Sequence, residues 1–158
     1  MRIIIDSLDR AFATVYTRSL GFTEILDDDL LYRRPRELER TFTPFTCGEY
    51  LLRSAASVEQ AILGLTRTLW DDPFEWTLPE ELSSVAAVCD YLTEVETERK
   101  AGFEFFSDDA DLARTVRSPR ELKAIHAVLL EALSRAEHFQ GRAFAVFQAL
   151  SDKKLPSV

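Results

Sequence analysis

The feature that most restricts this chain is a long run of apolar residues at helical spacing near its C-terminal end. Leu122, Ile125, Leu129, Ala132, Ala136, Phe139, Ala143, Phe147 and Leu150 follow one another at intervals of three or four. That spacing holds them on one face of an α-helix for about eight turns. A strand cannot use the pattern, because its side chains change sides at every residue. The stretch SPRE offers Ser118 as N-cap, Pro119 at the first helical position and Glu121 to close a capping box. A helix of roughly 30 residues, about 45 Å long, is expected. An apolar stripe of that length needs partners.

Three further segments supply them. The first runs from about Asp6 to Asp27, with Leu8, Ala11, Phe12, Val15, Phe22 and Leu26 as its inner positions. An acidic run then leads into LLYRRP, where Pro35 forbids continuation. The second opens on a capping box of Thr46 and Glu49, and its stripe is Leu51, Ala55, Val58, Ile62, Leu65 and Leu69. Pro73 and Pro79 break it. The third begins near Ser84, with Val88, Tyr91, Leu92, Val95, Phe103 and Phe106 facing inward. No convincing strand alternation is visible, SDDADLARTVR fits a short extra turn of helix, and DKKLPSV reads as a frayed end. With only 5 Gly and 6 Pro there is little room for a many-turned β fold. The expectation is an all-α four-helix bundle occupying residues 1–158 as a single domain.

Charge and composition exclude some roles. A net charge of −8 disfavours nucleic acid and anionic membrane. The one basic cluster, Arg33, Arg34, Arg36 and Arg40, is interrupted by Glu37 and Glu39 and sits in a connection, which makes it a solvated loop before a phosphate contact. No stretch is long and apolar enough to span a bilayer, and MRIIIDSLDR lacks the form of a secretory signal, so a cytoplasmic protein is expected. Cys47 and Cys89 fit neither a zinc site nor a disulfide scaffold and read as reduced, structural thiols.

Periodicity also sorts the polar residues. Arg99 falls inside the third helix's apolar stripe, between Val95 and Phe103. A guanidinium there needs either a carboxylate partner, with Glu59 and Glu131 as candidates, or an open pocket. Ser54 also faces inward and is expected to bond the carbonyl of the preceding turn. Glu94, Glu96 and Glu98 read as a solvated face. His126 and His138 stand 12 residues apart, about 120° around the helix, and cannot share a metal. Both read as surface residues. No phosphate loop or His-Glu-x-x-His is present, and the inward-facing positions offer no carboxylate pair for hydrolysis.

Three stretches, FTEILDDDLLYRRP, TPFTCGEYLLRSAASVE and RAEHFQGRAFAVFQAL, come in an order and spacing that resembles the DinB-like superfamily of bacterial four-helix bundles. The resemblance covers nearly the whole chain. Its typical members carry a Leu-Leu-x-His-x-Ala-x-x-Glu-like stretch in the second helix and His-x-x-x-His-x-Gly-Gln or -Arg in the last, and the three histidines bind a divalent metal. Anchoring on Glu59 puts the first of those positions at Ser54, or at Arg53 if the register slips by one. Anchoring on Gly141 puts the others at Arg135 and Phe139. None of them is a histidine, and His138 stands one residue away from Phe139.

The resemblance therefore implies a degenerate metal site, with no cofactor expected. The alternative is Zn²⁺, Ni²⁺ or Mn²⁺ with His138 as fallback ligand. It further implies a stress- or damage-associated binding or structural module, and a homodimer in which Trp70, Phe74 and Trp76 form an interface unless they cap the bundle end. A rival reading is a metal-independent or metal-dependent transferase or hydrolase acting on a small anionic or thiol-linked substrate. Its pocket would hold Ser54, Arg99, Arg135 and Phe139. Direct DNA binding is disfavoured for want of a basic recognition helix.

Overall fold

Cap chemistry sets where most of the helices begin. In the computed structural model, which describes residues 1–35, 45–73 and 77–156, helix α1 spans Ile3–Thr23 and α2 is the short turn Asp28–Leu31. Asp27 caps α2 by accepting from the Leu30 N–H, so the acidic run starts a new helix instead of trailing out of the first. Helix α3, Cys47–Arg67, opens on the expected box: Thr46 accepts from the Glu49 N–H, and the Glu49 carboxylate accepts from the Thr46 N–H at 2.8 Å. It ends at Thr68, whose left-handed φ of 59° lets the Thr68 and Leu69 N–H groups bond back to Gly64 and Leu63. Helix α4, Val85–Phe103, starts at Ser84, which accepts from the Ala87 N–H.

The last helix departs from expectation. Helix α5 is Ile125–Leu150, 26 residues, and its N-cap is Ala124. Ser118 does accept from the Glu121 N–H, at 3.4 Å, but its own N–H and hydroxyl both donate to the Glu121 carbonyl. That closes a hairpin turn. Strands β1, Thr115–Arg117, and β2, Leu122–Ala124, pair antiparallel around it, with Thr115 opposite Ala124 and Arg117 opposite Leu122. Ser-x-x-Glu bonding serves a helix cap and a tight turn alike, so the local pattern alone did not decide. Leu122, assigned above to the core stripe, is 70% exposed. A 3₁₀ turn, Asp109–Ala113, precedes the hairpin, in the segment where a short extra helix was expected.

The structure is mainly helical, with one small two-stranded sheet. Helix α3 packs most extensively on α5 and next on α4, while α1 packs on both α4 and α5. The core between them includes Phe12, Phe22, Leu51, Ile62, Val88, Leu129 and Phe147. Every inward position expected on α4 is buried, as is Phe106 just beyond it. On α3 the stripe ends early, Leu65 being half-buried and Leu69 exposed. On α5, Phe139 and Leu150 are half-buried, and Gln140 takes an inner place instead, donating to the Val15 carbonyl (2.7 Å) and the Ser19 hydroxyl (2.8 Å).

Other features sharpen the sequence reading. The expected frayed end packs back on the bundle through residue 156: Pro156 lies against Gly21, and Lys153 Nζ donates to the Ile25 carbonyl at 3.0 Å. Trp70 lies over Gly64, where an added Cβ would come within 2.3 Å of the indole ring. Arg33 and Arg34 are exposed, whereas Arg36, Glu37, Glu39, Arg40, Phe74 and Trp76 lie outside the described residues. Among the described residues no helix is long and apolar enough to cross a membrane. Both cysteines are free, Cys47 buried and Cys89 half-buried.

Candidate functional site

Helices α3 and α5 run antiparallel, and Ser54 fixes their level. Its hydroxyl, fully buried, donates to the Ala136 carbonyl at 2.8 Å across the interface, not to its own preceding turn. Beside this seam each helix carries a second stripe at helical spacing. On α3 it is Arg53, Ala56, Ser57 and Gln60; on α5 it is Val128, Ala132, Arg135 and Phe139. The small residues among them leave a furrow between the helices.

The furrow opens into two connected clefts. The larger, about 450 Å³, has Ala61, Val128 and Ala132 along its floor, Trp70 as a wall and the hairpin turn Ser118–Glu121 at its rim. The smaller, about 210 Å³, is bounded by Arg53, Ala56, Asp72 and Phe139. Ser57, Gln60 and Arg135 belong to both. Arg135 thus stands at the junction, exposed, its guanidinium making no ion pair or hydrogen bond with another described residue. Arg53 is half-buried, its guanidinium 4.0 Å from the centre of the Phe45 ring. Phe139 stacks on Tyr50 with ring centres 6.2 Å apart. Gln60 Nε2 donates to the Trp70 carbonyl at 2.9 Å and ties the wall to α3. On the hairpin side Lys123 lies 2.7 Å from Glu131 and 3.5 Å from Glu121. The bond to Glu131 raises its pKa above the ordinary lysine value, so its charge is already matched within the rim.

The four residues grouped at the outset are not brought together. Arg135 and Phe139 line the cleft, whereas Ser54 and Arg99 border a separate internal void of about 20 Å³ among Phe12, Val15 and Leu92. That space suits one water and no organic ligand. Arg99 is 2% exposed. It donates through Nε and Nη2 to the two oxygens of Glu96, at 2.7 and 2.9 Å, and through Nη1 to the Asp9 carboxylate. Burial opposes the guanidinium charge, but the bonds to Glu96 and Asp9 outweigh it and lift the pKa above the usual arginine value. Neither Glu59 nor Glu131 is the partner: Glu59 accepts from the Tyr91 hydroxyl at 2.7 Å, and Glu131 holds Lys123. Glu96, read above as part of a solvated face, is 6% exposed.

The metal positions inferred from the resemblance do not fit a divalent cation. Ser54 is committed to Ala136, Phe139 has no donor atom and Arg135 repels positive charge. His138 is exposed and lies 3.2 Å from the Arg142 Nε–H, which donates to it. His126, also exposed, has Nδ1 3.1 Å from the Leu112 carbonyl. Among the described residues no cluster of three histidine, cysteine or carboxylate side chains could hold a metal ion. The sequence did hold one signal for the cleft: Arg53, Ala56, Ser57 and Gln60 repeat at 3-1-3 spacing beside the core stripe. No family model, curated protein or solved structure matches the chain.

Proposed function

We propose that the protein is a four-helix bundle of DinB-like type whose metal site has become an anion-binding cleft, and that it acts as a non-catalytic binding module. One observation carries this reading. With the register slipped by one, the positions equivalent to the three family histidines are Arg53, Arg135 and Phe139, and those three residues line a single cleft. The packing of α1 and α3 each against both α4 and α5 agrees with a bundle of that type. The Arg135 guanidinium offers paired N–H donors to a phosphate or carboxylate, and the Arg53 guanidinium adds positive charge beside it. They supply neither nucleophile nor base near neutral pH, and a phenyl ring supplies none at all. Because the chain as a whole is acidic, a cationic cleft concentrates small anions that the rest of the surface repels.

Thermal unfolding at constant ionic strength tests the reading, with inorganic phosphate titrated into wild type, Arg135→Gln and Arg53→Gln. A saturable rise in Tm that is lost in both variants is expected. A rise that persists in the variants, or none, refutes the site. A saturable rise with zinc, nickel or manganese ions, abolished by His138→Ala, would restore a metal-binding reading.

A further inference from the structure

Hydrogen-bonding side chains, more than the nonpolar floor, give the larger cleft its character. Ala61, Val128 and Ala132 are each under a tenth exposed, so a ligand scarcely reaches them. What it meets instead are groups with bonding capacity to spare. Gln60 commits its amide N–H to the Trp70 carbonyl, at 2.9 Å, and its amide oxygen has no partner among the described residues. Arg120, exposed on the hairpin turn, makes no ion pair or hydrogen bond with another described residue. The turn that presents it is held at Ser118, whose hydroxyl donates to the Glu121 carbonyl at 2.8 Å. Charge at this rim is balanced: Lys123 lies 3.5 Å from Glu121 and 2.7 Å from Glu131, and Arg120 matches the second carboxylate in number. Arg135 alone is in excess.

We infer that the ligand is a polyhydroxylated anion, a sugar phosphate or sugar acid in chemical class: its charged head lies on Arg135, and its uncharged, hydroxyl-bearing body fills the larger cleft. This rests on the anion-binding reading above and adds the body. An inorganic anion at Arg135 leaves Arg120 and the Gln60 amide oxygen to water. A second charge on the ligand, of either sign, gains little from a rim that is already neutral. A nonpolar body would cover these polar groups without replacing their water, which costs binding energy. Hydroxyl groups suit the rim because each both donates and accepts. They can accept from Arg120 and donate to the Gln60 amide oxygen or the Glu131 carboxylate, all of which border this cleft. Its volume, about 450 Å³, lies in the range of sites for small organic molecules.

The experiment is calorimetric titration of the intact chain with methyl phosphate, hexyl phosphate, glucose 6-phosphate and glucuronate. At least one of the two sugar anions is expected to bind about tenfold tighter than methyl phosphate, the effect of one or two net hydrogen bonds, and the tighter of them gives the head as phosphate or carboxylate. Hexyl phosphate, with a body of similar length and no hydroxyls, should match methyl phosphate. Arg135→Gln should weaken every member by a similar factor. Arg120→Ala, at an exposed side chain with no partner to lose, should remove the advantage of the sugar anions and leave methyl phosphate nearly unchanged. Equal affinity across the series, or a preference for hexyl phosphate, with Arg135 still required, overturns the polar body and leaves the anion site standing. A sugar advantage that survives Arg120→Ala overturns the placement of the body in the larger cleft. Binding indifferent to Arg135→Gln, or no binding by any member, overturns both the body and the anion site.

Discussion

Replacing Arg99 by methionine removes the cation from a carboxylate that has almost no access to water. The Glu96 side chain is 7% exposed, and after the substitution its nearest cation is Lys100 Nζ at 3.6 Å, on a side chain that is 67% exposed. Breaking a buried pair from one side costs about 3–5 kcal/mol, because the remaining charge is desolvated without compensation. The partial help of Lys100 places Arg99→Met toward the lower end, about 3 kcal/mol, or a fall in Tm near 10 °C for a chain of this length. Asp9 behaves differently: its side chain is 42% exposed, so Asp9→Asn leaves the Glu96 pair intact and costs about 1 kcal/mol or less. The double variant Arg99→Met, Glu96→Met is expected to recover most of the loss, since a nonpolar pair of similar volume needs no desolvation. Urea unfolding followed by circular dichroism, analysed as a double-mutant cycle, measures all of these. If Arg99→Met costs under about 1 kcal/mol, or if adding Glu96→Met brings no recovery, Arg99 and Glu96 of α4 are not a buried and mutually dependent ion pair.

Three further outcomes can be checked. Burial, with Glu94 and Glu98 nearby, raises the Glu59 pKa above the usual carboxylate value despite the Tyr91 hydrogen bond, so the folded state takes up a proton more readily than the unfolded chain. Wild type therefore gains stability relative to Glu59→Gln as pH falls from neutrality toward that raised pKa. Glu59→Gln should have the higher Tm at pH 7, with the difference shrinking in acid; a difference that widens refutes it. The Cys47 thiol, pushed up to about 11 chiefly by burial, should resist Ellman's reagent at pH 8 until the chain unfolds, with half-buried Cys89 reacting first. Thr68→Gly should stabilise the protein by roughly 0.5–1 kcal/mol, since glycine adopts the left-handed conformation there without a Cβ penalty; a loss measured by urea unfolding counts against it.

Helix starts were legible in the sequence where one reading of the cap chemistry was available, as at Thr46 and Ser84. Ser118 had two, and only the pairing of Thr115–Arg117 with Leu122–Ala124 chooses between them. Arg99 was legible as an inward charge because Val95 and Phe103 bracket it. Its partner was missed although Glu96 lies three residues before it, the spacing at which helical side chains meet. Periodicity gave Glu96 a flank of the helix, and what covers a flank depends on the neighbouring helix. The site was harder still. Arg53 and Ser54 point about 100° apart, and sequence alone does not say which of them faces Arg135. The rotation of α3 against α5 decides: it turns Ser54 into the seam and leaves Arg53 on the cleft.

The buried polar contacts of α5 also act as a detent. An apolar interface tolerates sliding, because one methyl group resembles the next a turn away. The Ser54 hydroxyl on the Ala136 carbonyl and the Gln140 amide on the Val15 carbonyl do not. A slip of one helical turn, about 5.4 Å, would strand both donors away from water, at about 1–3 kcal/mol each. The two contacts lie one turn apart on α5 and alternate with Arg135 and Phe139 along that helix. The axial setting of three helices is thereby indexed at the level of the cleft, and its walls stand in position before anything enters.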